Sequence, residues 1–250
     1  LSRRQLFELD FEPITILYGG NGSGKTTALN IIAEKLGLVR DTLYNRTNFF
    51  ETYTKLCSYH LACSIPKESR MITSDDVFDY MLNLRSINNG IDQKRDDLFQ
   101  ECLESKYSNF QMRSLDDYDQ LKKVNLARRK SQSQYVRKQL MNNIREQSNG
   151  ESAFRYFSEK INDNGLYLLD EPENSLSPQR QQDLLALIED FTRFFGCQFI
   201  IATHSPFLLA MKTAKIYDLD DSPTKVKKWT ELSNVRLYYD FFKQHECEFL

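Results

Sequence analysis

The sequence predicts an α/β fold, a mostly parallel sheet with helices on its faces and an inserted helical subdomain. Three observations predict it. Short apolar runs recur at 14–18, 165–169 and 198–202; helix-like segments follow them; and the stretch between about 39 and 147 has few strand-like runs and many polar residues. At 250 residues, 40% hydrophobic and 27% charged, the chain can bury the core of one such domain. Residues 1–38 and 148–250 are assigned to the α/β core, and about 39–147 to the insertion.

The elements follow in order. Ile14-Thr-Ile-Leu-Tyr18 is short, apolar and partly β-branched, as a buried strand is. Residues 26–36 carry apolar side chains at helical spacing, and Gly37 stands where a C-cap glycine would. The middle of the chain holds charge blocks of opposite sign. Residues 75–104 are acidic, whereas 121–145 contain eight basic residues (Lys122, Lys123, Arg128, Arg129, Lys130, Arg137, Lys138, Arg145) and no Asp or Glu. That run suits either contact with phosphates or a solvated helix face paired with the acidic block. A strand is predicted at 165–169. Ser177 then offers an N-cap with Pro178 at the first helical position, and Leu184, Leu187, Ile188, Phe191 and Phe195 share one face of the helix. Gly196 ends it, 198–202 is the next buried strand, and Pro206 starts another helix.

A net charge of −2 gives no global attraction to nucleic acid or to an anionic membrane. Cys57, Cys63, Cys102, Cys197 and Cys247 are scattered, without a C-x-x-C pair, and read as free thiols. No apolar run approaches the roughly 20 residues of a membrane span. With no signal peptide in view, the expectation is a cytoplasmic protein without direct membrane insertion.

Chemistry concentrates where the glycines do. Of nine in the chain, Gly19, Gly20, Gly22 and Gly24 fall within six positions. Gly19-Gly-Asn-Gly-Ser-Gly-Lys-Thr26 matches G-x-x-x-x-G-K-[ST] in full, directly after a strand and opening a helix. Such a loop turns its N–H groups and a helix N-terminus toward a polyphosphate. Lys25 is then placed for the β- and γ-phosphates of ATP and the Thr26 hydroxyl for Mg²⁺, with Gly19, Asn21, Gly22, Ser23, Gly24 and Thr27 completing the nucleotide site. A second constellation is Leu166-Tyr-Leu-Leu-Asp-Glu-Pro172. A strand ending in Asp170 delivers a carboxylate to the sheet edge for the metal, and Glu171 is placed to deprotonate an attacking water. His204, in Ala202-Thr-His-Ser-Pro206, ends the next strand at the same edge and is a candidate γ-phosphate sensor.

These motifs, with Leu168-Leu-Asp-Glu-Pro-Glu-Asn-Ser-Leu-Ser-Pro178, resemble the Walker A, Walker B, D-loop and switch-histidine motifs of ABC-type ATPases. More closely, Glu146-Gln-Ser-Asn-Gly-Glu-Ser152 resembles the signature of small soluble bacterial ABC-like AAA-family ATPases, relatives of the SMC and RecF proteins. Leu219-Asp-Asp221 and Tyr238-Tyr-Asp-Phe-Phe242 resemble that family too. The resemblance implies a P-loop NTPase that forms an ATP-dependent homodimer around two ATP molecules, with Ser148, Asn149 and Gly150 of one subunit completing the phosphate site of the other. This chain departs from the family in lacking the transporter-type signature Leu-Ser-Gly-Gly-Gln and a Q-loop glutamine, whose place is taken by Pro66-Lys-Glu-Ser69 with Glu68 as the candidate; adenine stacking is unassigned, since Phe11 and Tyr18 are near enough but read first as core. What the cycle acts on stays open among a DNA-associated or defence-type complex with an effector or nuclease, a transporter's ATP-binding subunit, and an ATP-gated interaction module. A separation of 145 residues between Lys25 and Asp170 leaves no room for a long coiled coil.

Overall fold

Strand β1 (Ile14–Tyr18) forms where five residues with apolar or β-branched side chains can be buried on both faces, and all five are buried in a computed structural model of the chain. The structure describes residues 8–42, 50–108, 117–129, 135–136 and 149–249. Helix α1 (Lys25–Leu36) follows and ends at Gly37, whose left-handed backbone (φ 62°) turns its N–H back to the carbonyls of Ala33 and Glu34. After α2 (Phe50–Leu56), β2 (Arg70–Thr73) leads into α3 (Ser74–Tyr107), then α4 (Tyr118–Arg129) and α5 (Asn149–Lys160). The remaining elements are β3 (Leu166–Asp170), α6 (Pro178–Phe194), β4 (Gln198–Ala202), α7 (Pro206–Leu209), β5 (Lys215–Asp218), β6 (Lys225–Lys227) and α8 (Ser233–Gln244). Ser177 caps α6 as its sequence implies, its side chain accepting from the Arg180 N–H.

Among the described residues one sheet has the order β2-β3-β4-β1-β5-β6. All pairings are parallel except β5 with β6. The predicted class, a mostly parallel sheet flanked by helices, is therefore the observed one. The register aligns the strand ends. Asp170 pairs with Ala202, Ala202 with Leu17, and Thr73 with Asp170, so the carboxyl ends of four strands finish level with one another. Leu17, Leu29, Leu168, Ile200 and Leu219 pack between α1 and the sheet in one fully buried cluster.

The strand β2 falls in a stretch that the sequence pattern assigns to the helical insertion. Four residues with only Met71 and Ile72 apolar are too short to show a period. β5 and β6 are hidden in the sequence for the same reason.

The chain divides into two compact units, one of Leu1–Asp79 with Ser148–Leu250 and one of Tyr80–Gln147. The second has a small core of its own, in which Leu98, Cys102, Ala127, Tyr135 and Val136 are buried together. The described part of the basic run lies here, and three of its residues are engaged locally. Lys123 Nζ meets Glu101 of the acidic block at 2.7 Å, Lys122 meets Asp119 at 3.4 Å, and Arg128 donates to the Ser108 carbonyl at 2.7 Å. Lys130, Arg137, Lys138 and Arg145 lie outside the described residues.

Truncating the fully buried Leu168 to Ala is expected to lower the unfolding free energy by about 3 kcal/mol. Lys123→Ala, which removes only a surface pair, should change it by less than about 1 kcal/mol. Urea unfolding measures both.

Candidate functional site

The loop between β1 and α1 closes tightly on itself. A Cβ on Gly19 would stand 2.6 Å from Ser23 Oγ, so the first position admits only glycine. Gly24, at the start of α1, has φ 99°, a backbone that side-chain-bearing residues rarely adopt. The first bond inside α1 runs from the Ala28 N–H to the Gly24 carbonyl, which leaves the N–H groups of Lys25, Thr26 and Thr27 without intrahelical acceptors. Ser23 is buried, and its hydroxyl has no hydrogen-bond partner among the described residues. Lys25, only 4% exposed, donates through Nζ to the carbonyls of Gly19 (2.7 Å) and Gly20 (3.2 Å). Asp220, 200 residues away, braces the loop from outside by accepting from the Gly20 N–H at 2.8 Å.

The level strand ends bring the second constellation to this loop. Thr26 Oγ1 donates to Asp170 Oδ1 at 3.1 Å. Glu171 Oε1 lies 3.6 Å from Lys25 Nζ and 3.9 Å from His204 Nδ1. Glu171 itself adopts a left-handed backbone (φ 47°), unusual for a residue with a side chain, while its N–H continues the sheet ladder to the Ala202 carbonyl at 2.8 Å. Asn174 Nδ2 donates to Glu171 Oε2 at 3.1 Å. Burial pushes the Asp170 carboxyl up from its ordinary 3.8 to about 6, with the Thr26 hydrogen bond opposing and the neighbouring Glu171 charge assisting the rise.

His204 is 45% exposed and borders a pocket of about 630 Å³ beside the loop, shared with Gly19, Gly20, Asn21, Asp220 and Asn234. Its carbonyl accepts from Asn234 Nδ2 at 3.0 Å. The residue that sequence reasoning missed is Glu173. Two positions past Glu171, it turns inward and holds the backbone on both sides of His204, through partners 30 to 32 residues away that no local pattern reveals.

Other expectations fare differently. Glu68 precedes β2, at the end of the sheet away from Asp170, because Arg70 pairs with Tyr167 and Thr73 with Asp170. This removes Glu68 as a γ-phosphate sensor; Thr73 and the turn into α3 occupy the level of the site instead. Tyr18 is buried, with its hydroxyl at Ser233 Oγ (3.1 Å) and the Asn234 N–H (3.1 Å), and Phe11 packs on the main core. Core packing is thus the reading that holds for Phe11, which stays partly buried, and for Tyr18, which also borders the pocket beside the loop. Ser148 and the side chain of Asn149 lie outside the described residues. The atoms closest to a Cβ on Gly150 belong to Arg180, Ser177 and Ser175, none of them in the phosphate loop.

The donor set fits a polyphosphate. A buried orphan hydroxyl, a buried ammonium facing only carbonyls and a carboxylate, and the bare N–H groups of a helix start converge on one loop. The hydroxyl–carboxylate pair of Thr26 and Asp170 suits Mg²⁺, which takes one or two protein oxygens and completes its shell with water and phosphate. No group of three His, Cys, Asp or Glu able to hold a metal occurs among the described residues. No described helix is long and apolar enough to cross a membrane.

Because the folded protein binds the Asp170 proton more tightly than the unfolded chain does, stability contributed by that proton is full below pH 4 and is lost as pH rises through about 6. Asp170→Asn is thus expected to raise nucleotide-free stability at pH 7.5 by about 1 kcal/mol, or roughly 3 °C, a gain that disappears toward pH 4. Thermal melts at the two pH values check it.

Comparison with known proteins gives the following similarities. The family model described as "ABC transporter" matches residues 5–174, and that described as "AAA domain, putative AbiEii toxin, Type IV TA system" matches residues 143–210. No curated protein matches the chain. Among solved structures, a dimeric ATP-binding cassette in a post-hydrolysis state with ADP and Pi is 14% identical, with 88% of each chain covered and a TM-score of 0.40. The Smc head domain of Pyrococcus furiosus, bound to the C-terminal domain of ScpA, is 12% identical over 95% of this chain and 94% of that one, with a TM-score of 0.41. The cbiO1 protein of Clostridium perfringens, part of the ABC transporter complex cbiONQ, is 14% identical over 96% of this chain and 86% of that one, with a TM-score of 0.36. The first family match takes in the phosphate loop and the Asp170–Glu171 turn alike, and by it the chain belongs to the ABC transporter family, as an ABC ATPase domain.

Proposed function

We propose that the protein is a Mg²⁺-dependent ATPase that closes as a homodimer around two ATP molecules and reopens on hydrolysis. The observation that carries this reading is the convergence of Lys25 Nζ and His204 Nδ1 within 4 Å of Glu171 Oε1, beside the Thr26–Asp170 pair. Gly19, Asn21, Gly22, Ser23, Gly24 and Thr27 line or open the loop that cradles the phosphates. The Lys25 ammonium balances the charge of the β- and γ-phosphates, and Thr26 and Asp170 hold Mg²⁺, which when bound neutralises phosphate oxygens. Glu171 Oε1 takes the proton of the attacking water. His204, which follows β4 and borders the pocket, contacts the γ-phosphate.

The dimer rests on the resemblance of 146–152 to the family signature, by which Ser148, Asn149 and Gly150 serve a phosphate site on a second copy; Gly150, whose neighbours are Ser175, Ser177 and Arg180, is not beside the loop of its own chain. For the biological setting we favour a defence-type or DNA-associated complex with an effector or nuclease partner, supported by the AAA-domain match over 143–210, which holds the signature, Asp170, Glu171 and His204. DNA contact through the basic run is the weaker half of that reading, since Lys122, Lys123 and Arg128 already have partners. The match over 5–174 favours a second reading, an ATP-binding subunit working with a transporter's membrane chain. Pull-down from the native host with ATP separates the two: a membrane protein supports the second, a soluble effector the first.

Glu171→Gln should bind ATP, hydrolyse it about a hundredfold more slowly and accumulate as a dimer on size-exclusion chromatography. Hydrolysis by this variant at the wild-type rate would show that Glu171 is not the base.

A further inference from the structure

Glu173 lies two positions beyond the proposed base, in the short 3₁₀ turn Pro172–Ser175, yet its side chain is only 6% exposed. Its Oε1 gathers three donors from the other arm of the site. Thr203 Oγ1 donates at 2.7 Å, the His204 N–H at 2.9 Å and the Ser205 N–H at 3.2 Å. His204 Nδ1 stands 3.4 Å from the same oxygen, closer than it stands to Glu171 Oε1. The second oxygen, Oε2, is buried with no hydrogen-bond partner among the described residues.

That unmatched oxygen separates two roles. A link whose only task was to tie the turn to the strand would not need a charged group there, because burying a carboxylate with an unmatched oxygen is unfavourable. A charge beside Nδ1, by contrast, gives the imidazole a fixed partner on the side facing the protein. We propose that Glu173 is a positioning residue for hydrolysis: its carboxylate pins the backbone around His204 to the turn that carries Glu171 and orients the His204 ring, so that base and sensor keep one spacing. The proposal rests on the assignment of Glu171 as base and His204 as sensor. Glu173 touches neither nucleotide nor water in this scheme and acts through His204.

Glu173→Gln is the discriminating variant, since the amide oxygen can accept the same three hydrogen bonds while the charge beside Nδ1 is lost. It should keep its melting temperature and its affinity for a fluorescent ATP analogue, while kcat falls about tenfold and the KM for ATP changes less than about twofold. In a double-mutant cycle the loss should vanish: E173Q/H204A should be no slower than H204A alone. E173D, which keeps the charge but draws it back by one methylene, is the second variant and should show the same dependence on His204 should E173Q not fold. E173Q hydrolysing at the wild-type rate, or losses that multiply in the cycle, would overturn the positioning role. H204A at the wild-type rate would instead overturn the sensor assignment beneath it.

Discussion

Parallel pairing of β3 with β4 and of β4 with β1 sets Asp170, Ala202 and Leu17 at one height, and each chemical group of the site is the next thing the chain does after that height. The phosphate loop leaves β1, the Glu171 turn leaves β3, and the His204 segment leaves β4. The ladder continues one step beyond the strands, from the Glu171 N–H to the Ala202 carbonyl and from the Thr203 N–H to the Leu17 carbonyl. A slip of one residue in either pairing would move a group by about 3.3 Å and turn its side chain to the other face. The buried, unbroken apolar runs of these strands thus specify the chemistry as much as the motifs do.

Around that frame the site accepts unfavourable local terms. Asp170 is a buried carboxylate resisting ionisation, Glu171 holds a left-handed backbone, Ser23 keeps a hydroxyl unmatched and Glu173 an oxygen. Each is a group that a core designed for stability would replace. Their grouping at one sheet edge, beside strands that are fully buried, fits a division between a scaffold that supplies stability and an edge that spends it.

Much of this was legible in the residues alone, for identifiable reasons. The loop at 19–26 and the Asp170–Glu171 turn are each contiguous in sequence, and the strands before them are mostly apolar and fully buried, so local pattern and structural context coincide. β2 and β6 were not legible because three or four residues with mixed polarity carry no period. Glu68 was misplaced because sequence order says that a residue precedes a strand but not which edge that strand's start occupies. Glu173 and Asp220 act on partners about 30 and 200 positions distant, and only the folded chain brings those together.

The braces from the C-terminal segment extend what counts as the catalytic unit. Asp220 holds Gly20, Ser233 and Asn234 hold Tyr18, and Asn234 also holds the His204 carbonyl. Every motif with an assigned chemical role lies upstream of these contacts. A fragment trimmed just past His204 would therefore keep the glycine loop, the Asp170–Glu171 turn and the histidine while losing the side chains that brace them. The functional boundary of the domain lies beyond its motif boundary, at α8 rather than at His204.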